Sequence, residues 1–103
     1  MYYKSSQAAF LTVALAAGMH STEAHADFFT FKIGSGEDQA YMGNARVEWA
    51  DGQLACNADD HGFCEITRPA GPYDVIVVWQ GRQFPLKLNF DGSSQVKVQT
   101  LPR

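Results

Sequence analysis

Apolar and polar residues alternate along most of the chain, and turn residues interrupt the alternation about every ten positions, the spacing of small β-proteins. In "DFFTFKI", Phe29, Phe31 and Ile33 share one face and Phe28, Thr30 and Lys32 the other. "ARVEW" sets Ala45, Val47 and Trp49 in phase. "YDVIVVW" is the most apolar stretch, with Tyr73, Val75, Val77 and Trp79 on one side and Asp74, Ile76, Val78 and Gln80 on the other. Phe84, Leu86, Leu88 and Phe90 are in phase in "FPLKLNF", and Val96 and Val98 in "QVKVQTL". A period of two is that of an extended strand, whose side chains point alternately to opposite faces. Between these runs lie Asp51-Gly52, "QGRQ" and "DGSS", and "RPAGP", where two prolines fix φ around a permissive glycine. The pattern predicts an all-β fold, a small antiparallel β-sandwich of about seven strands.

The first 26 residues depart from this pattern. A short polar segment with Lys4 precedes the apolar run "AAFLTVALAAGM", and "HSTEAHA" then ends on Ala24-His25-Ala26. The run is too short to span a bilayer, and small residues stand where a signal peptidase reads. Residues 1–26 are therefore expected to be a signal peptide, cut after Ala26, and residues 27–103 a single domain. The expected location is periplasmic or extracellular. No cysteine stands near the cut and no second long apolar run follows, so no membrane anchor is expected in the mature form. The net charge is −3 without a basic cluster, which argues against nucleic acid and anionic membrane as partners.

Secretion bears on Cys56 and Cys64, the two cysteines of the chain. A structural zinc site takes four ligands, and a Cys-x-x-Cys redox site takes closer spacing. An oxidising compartment favours a disulfide. If the pair faces across an antiparallel hairpin, Leu54 lies opposite Ile66. Leu54, Cys56, Cys64 and Ile66 then share an apolar face, with Ala55 and Glu65 on the other. Closing so short a loop contributes about 2–3 kcal/mol in the chain-entropy model.

The segments "GNARVEW", "GQLACNADDHGFCEI" and "PAGPYDVIVVWQG" resemble the carboxypeptidase regulatory-like domain, a transthyretin-like sandwich. Gly43-Asn44-Ala45-Arg46-Val47 matches its first element, Gly62-Phe63-Cys64-Glu65-Ile66 its second, and Pro69-Ala70-Gly71-Pro72-Tyr73 through Gly81 its third. The cysteine pair and a longer turn at residues 57–61 depart from the family pattern. The resemblance implies a seven-stranded sandwich serving as an accessory, binding or structural module, with no catalytic residues to carry over.

Little in the mature segment points to chemistry. His61 is the one histidine left after the expected cut, and Ser35, Ser93 and Ser94 lie in turns without a nucleophile elbow, so no enzyme is expected. Asn57, Asp59 and Asp60 form an oxygen-rich turn beside His61, a candidate for weak cation binding. A cut after Ala24 would instead expose His25, whose amine and imidazole with His61 would suit copper(II). That is the alternative reading, a copper-binding envelope protein; otherwise no cofactor is expected. With Val75 and Val77 inward, Ile76 and Val78 point out, and Phe63 shares an outward register. These three are the expected binding patch, for a protein partner or for self-association, unless a neighbour such as Phe28 covers them. The favoured reading is a secreted, non-catalytic module.

Overall fold

The computed structural model describes residues 23–103, in which eight strands form two four-stranded sheets. In chain order they are β1 (Ala24–Ile33), β2 (Ala40–Tyr41), β3 (Arg46–Trp49), β4 (Leu54–Asn57), β5 (Phe63–Pro69), β6 (Gly71–Trp79), β7 (Arg82–Phe90) and β8 (Val96–Leu101). In the first sheet β1 is central. β5 and then β2 pair along one of its edges, both antiparallel, and β8 pairs along the other. The second sheet runs β4-β3-β6-β7, antiparallel throughout.

The all-β sandwich expected from the alternation is therefore present, with one ladder of different sense. β8 runs parallel to β1, from Phe28 opposite Val96 to Ile33 opposite Leu101. A parallel neighbour cannot follow through a tight hairpin. Nothing in the local sequence of "QVKVQTL" distinguishes the two senses.

The inward faces follow the predicted phases. Phe29, Phe31 and Ile33 from β1 meet Val47, Val75, Val77, Leu88 and Phe90 from the second sheet, and all are buried. Trp49, Tyr73 and Leu86 close the margin of this core. The β6–β7 turn places Gln80 (φ 50°) and Gly81 (φ 75°) both in the left-handed region, between Trp79 and its partner Arg82. That is the two-residue turn whose twist matches antiparallel strands.

The disulfide Cys56–Cys64 is formed, with Cα atoms 6.2 Å apart, but the predicted hairpin is not. β4 belongs to the second sheet and β5 to the first, so the bond joins the two sheets. Leu54 pairs with Glu48 across a bulge and is exposed; Ile66 pairs with Asp27 and is buried. The two residues do not share a face. The connection through residues 58–62 is an arch that crosses the sandwich, and long-range hydrogen bonds hold it. The amide of Asn44 donates to the Asp59 carbonyl (2.8 Å), that of Ala58 to Ala45 (2.8 Å), and that of Phe31 to Gly62 (2.8 Å).

The expected signal segment lies mostly outside the described residues. Its last three, Ala24–Ala26, belong to β1 and pair with Pro69, Arg68 and Thr67. Among the described residues no helix is long and apolar enough to cross a membrane.

Candidate functional site

The outer face of the first sheet carries the largest group of exposed apolar side chains. Register sets three rows across β8, β1 and the β5/β2 edge. They are Val96–Phe28–Glu65, Val98–Thr30–Phe63 and Thr100–Lys32–Tyr41. Val96, Val98 and Tyr41 are each about half exposed (49%, 56% and 48%), so no layer among the described residues shields this face. Phe28 and Phe63 stack at 6.1 Å between ring centroids and are half-buried by each other. Apolar surface gathered in this way marks an interaction site more often than scattered exposure does. The second edge of β8 has no strand partner among the described residues, and unpaired strand edges accept further strands.

Phe63 thus sits in an apolar face, but not with Ile76 and Val78. Those two lie on the outer face of the second sheet, because the chain changes sheets between β5 and β6. There Val78 is opposite Arg46 and Gln83, and Ile76 opposite Glu48 and Pro85. The ion pairs Arg46–Glu48 (2.7 Å) and Lys87–Asp74 (2.9 Å) interrupt the surface around them.

Asp59, Asp60 and His61 come together at the crossing arch, their ligand atoms within 4.8 Å of one another. Asp59 is already engaged in holding the turn. Its Oδ1 accepts from the amides of His61 (2.8 Å) and Phe63 (3.0 Å). The Phe63 amide first, then that of His61, holds this carboxyl below the ordinary aspartate range. His61 Nδ1 lies 2.9 Å from Asp60, and its ring meets Tyr41 edge-on at 5.4 Å. All three acidic and imidazole groups are exposed, with no further ligand in the group. His25 is not near them. It pairs with Arg68 at the start of β1, whereas His61 adjoins the Gly62–Phe31 contact six residues along. At about 3.3 Å per residue the two histidines are about 20 Å apart, too far for one ion.

At the end of the sandwich the Arg68 guanidinium lies 3.8 Å over the Trp49 ring and 5.2 Å from Tyr73. With Asp51 and Asp74 they line an open pocket of about 320 Å³. The carboxylates on its rim are occupied, Asp51 by the Gln53 amide and Asp74 by Lys87. The Tyr73 hydroxyl donates to the Pro69 carbonyl (2.7 Å) and fixes the β5–β6 crossover. This group covers the end of the core.

The remaining polar cluster was not singled out by sequence pattern. Asp27 is fully buried, and its Oδ1 accepts from Lys97 Nζ (2.8 Å) and from the amides of Asp91 and Gly92 (3.0 Å each). Lys97 Nζ also lies 3.0 Å from Asp91 Oδ1. Burial acts to lower the Lys97 pKa, but hydrogen bonds to Asp27 and Asp91 prevail and raise it. Asp91 is held low, first by the Ser93 amide and then by Lys97. The signal was present in the sequence. Asp27 is in phase with Phe29, Phe31 and Ile33, and Lys97 with Leu101, so each is a charge at an inward position.

No family model, no curated protein and no solved structure matches this chain.

Proposed function

We propose that the protein is a periplasmic or extracellular, non-catalytic module that binds another protein or serves as an accessory subunit. The observation that carries this reading is the exposed row structure of the first sheet, in which Val96, Val98, Phe28, Phe63 and Tyr41 stand on one face beside the open edge of β8. The disulfide is compatible with an oxidising compartment. The resemblance to carboxypeptidase regulatory-like domains, which serve as accessory modules, agrees with the same reading.

The test compares the wild-type protein with Val98→Glu, after in-cell cross-linking in the native host and by sedimentation of the purified chain. The wild type is expected to join a defined protein, or itself, at fixed stoichiometry. A charge in the middle row of the face, beside its open edge, should weaken that association by about tenfold or more while the disulfide and β-sheet spectrum persist, the size of loss found at well-packed interface positions. A correctly folded variant with unchanged association would overturn the proposal, as would a wild type that associates with nothing.

A further inference from the structure

The Asp27–Lys97–Asp91 cluster holds every group that one condensation reaction needs. We propose that Lys97 and Asp27 join through an intramolecular isopeptide bond, from Lys97 Nζ to Asp27 Cγ, with release of one water.

The fold sets the geometry. β1 and β8 are parallel neighbours, and Lys97 lies opposite Phe29. Asp27 and Lys97 therefore point inward from adjacent strands, one pleat apart. The nitrogen is 2.8 Å from the carboxyl oxygen, so the carboxyl carbon is at most one bond further away. Asp27 is fully buried, and the Lys97 side chain is only 19% exposed, which limits both its excursions and the access of water. Fixing two reactants in contact can supply an effective concentration of about 10⁵–10⁸ M.

The surroundings supply the rest. The amides of Asp91 and Gly92 both point at Asp27 Oδ1, and the Gly92 amide also reaches Oδ2 (3.3 Å). Oδ1, which also contacts Lys97, is thus the oxygen that takes the proton and departs, and the Gly92 amide is the donor that faces the oxyanion developing on Oδ2. Asp91 is the proton carrier, 3.0 Å from the same nitrogen and exposed on its far side. The steps balance without a co-reactant. Its partners hold Lys97 on the protonated side, so the first step is uphill: the ammonium passes one proton to Asp27 Oδ1, leaving a neutral amine and a neutral acid. The amine lone pair attacks Cγ, and the nitrogen gives a second proton to Asp91. Asp91 returns that proton to the hydroxyl on Cγ, whose C–O bond breaks as water departs. One proton remains on the amide nitrogen, and Asp91 is regenerated as carboxylate. The product also replaces two desolvated charges with a neutral amide, and burial of such charges is costly.

Intact mass spectrometry of the full secreted chain tests the proposal, read against the N-terminus found in the same sample. The expected mass is lower than the sequence mass by one water, beyond the two hydrogens of the disulfide, and the deficit survives reduction and denaturation. Proteolysis should yield one branched species containing both Asp27 and Lys97. Lys97→Arg should restore the missing water, and Asp91→Ala should slow its loss at least tenfold, with recovery in Asp91→Glu. A wild-type chain that keeps its full mass after prolonged incubation overturns the proposal without reference to any variant. A deficit that persists in Lys97→Arg overturns it equally, because dehydration would then lie elsewhere, as in a succinimide.

Discussion

Asp59 and Gly62 show how much of the crossing arch rests on two residues. Gly62 has φ 72°, and a Cβ there would meet the Phe31 carbonyl oxygen within van der Waals distance. The strand pairing of β1 thus requires glycine at that turn. Asp59 provides the acceptor for the amides of His61 and Phe63 at the entry to β5, and its charge strengthens both bonds. Its pKa is lower in the folded chain than the ordinary aspartate value of about 3.9. The sign follows directly. A depressed carboxyl contributes stability above its unfolded value, and the contribution is lost as pH falls through the folded value. Denaturation midpoints measured from about pH 6 down to about pH 2 should therefore fall less steeply for Asp59→Asn than for the wild type, since Asn keeps the acceptor oxygen but does not titrate. Equal acid limbs would show that Asp59 does not link the arch to protonation.

At the scale of elements, the inward faces of β1, β3, β6 and β7 were legible because alternation is a local property. In these four strands the apolar phase read from sequence is the phase found buried, whereas the Val96–Val98 phase of β8 lies on the exposed face. The partner of each strand was less legible. "LACNADDHGFCEI" satisfies a hairpin by its cysteine spacing and its alternation, yet Cys56 and Cys64 lie in different sheets. What decides between hairpin and arch is non-local, in the bonds from Asn44 and Phe31 to the arch carbonyls. The parallel sense of β8 was hidden for the same reason, as was the division of Phe63 from Ile76 and Val78. The loop closed by the disulfide is as short in an arch as in a hairpin, so the entropic contribution is unchanged. The paired substitution Cys56→Ala with Cys64→Ala should lower unfolding free energy by about 2–3 kcal/mol. Urea denaturation checks this, and a loss well below that range would mean that the unfolded chain lacking the disulfide stays compact around this segment.

Across the whole molecule, the disulfide and the Asp27 cluster occupy opposite margins of one row. Phe29 lies opposite Cys64 on one side and Lys97 on the other. At the β5 margin the sulfurs tie the first sheet to β4. At the β8 margin Asp27 ties the first sheet to residues 91–92, which follow β7 directly. A sandwich of this size has a small core and gains from such ties. The two margins differ in what a single change does. Lys97→Met leaves the Asp27 carboxylate buried without its cation, still facing two amides. Adding Asp27→Asn removes the orphaned charge and keeps an oxygen for those amides. The doubly substituted chain should therefore be more stable than Lys97→Met alone by about 3 kcal/mol, the usual size of an uncompensated buried charge. Neither variant can form an Asp27–Lys97 amide, so the comparison isolates electrostatics from any covalent link. Urea midpoints at neutral pH give the difference. If the two variants unfold together, solvent reaches Asp27 once Lys97 is gone, and the β8 margin is held by backbone pairing with β1 alone.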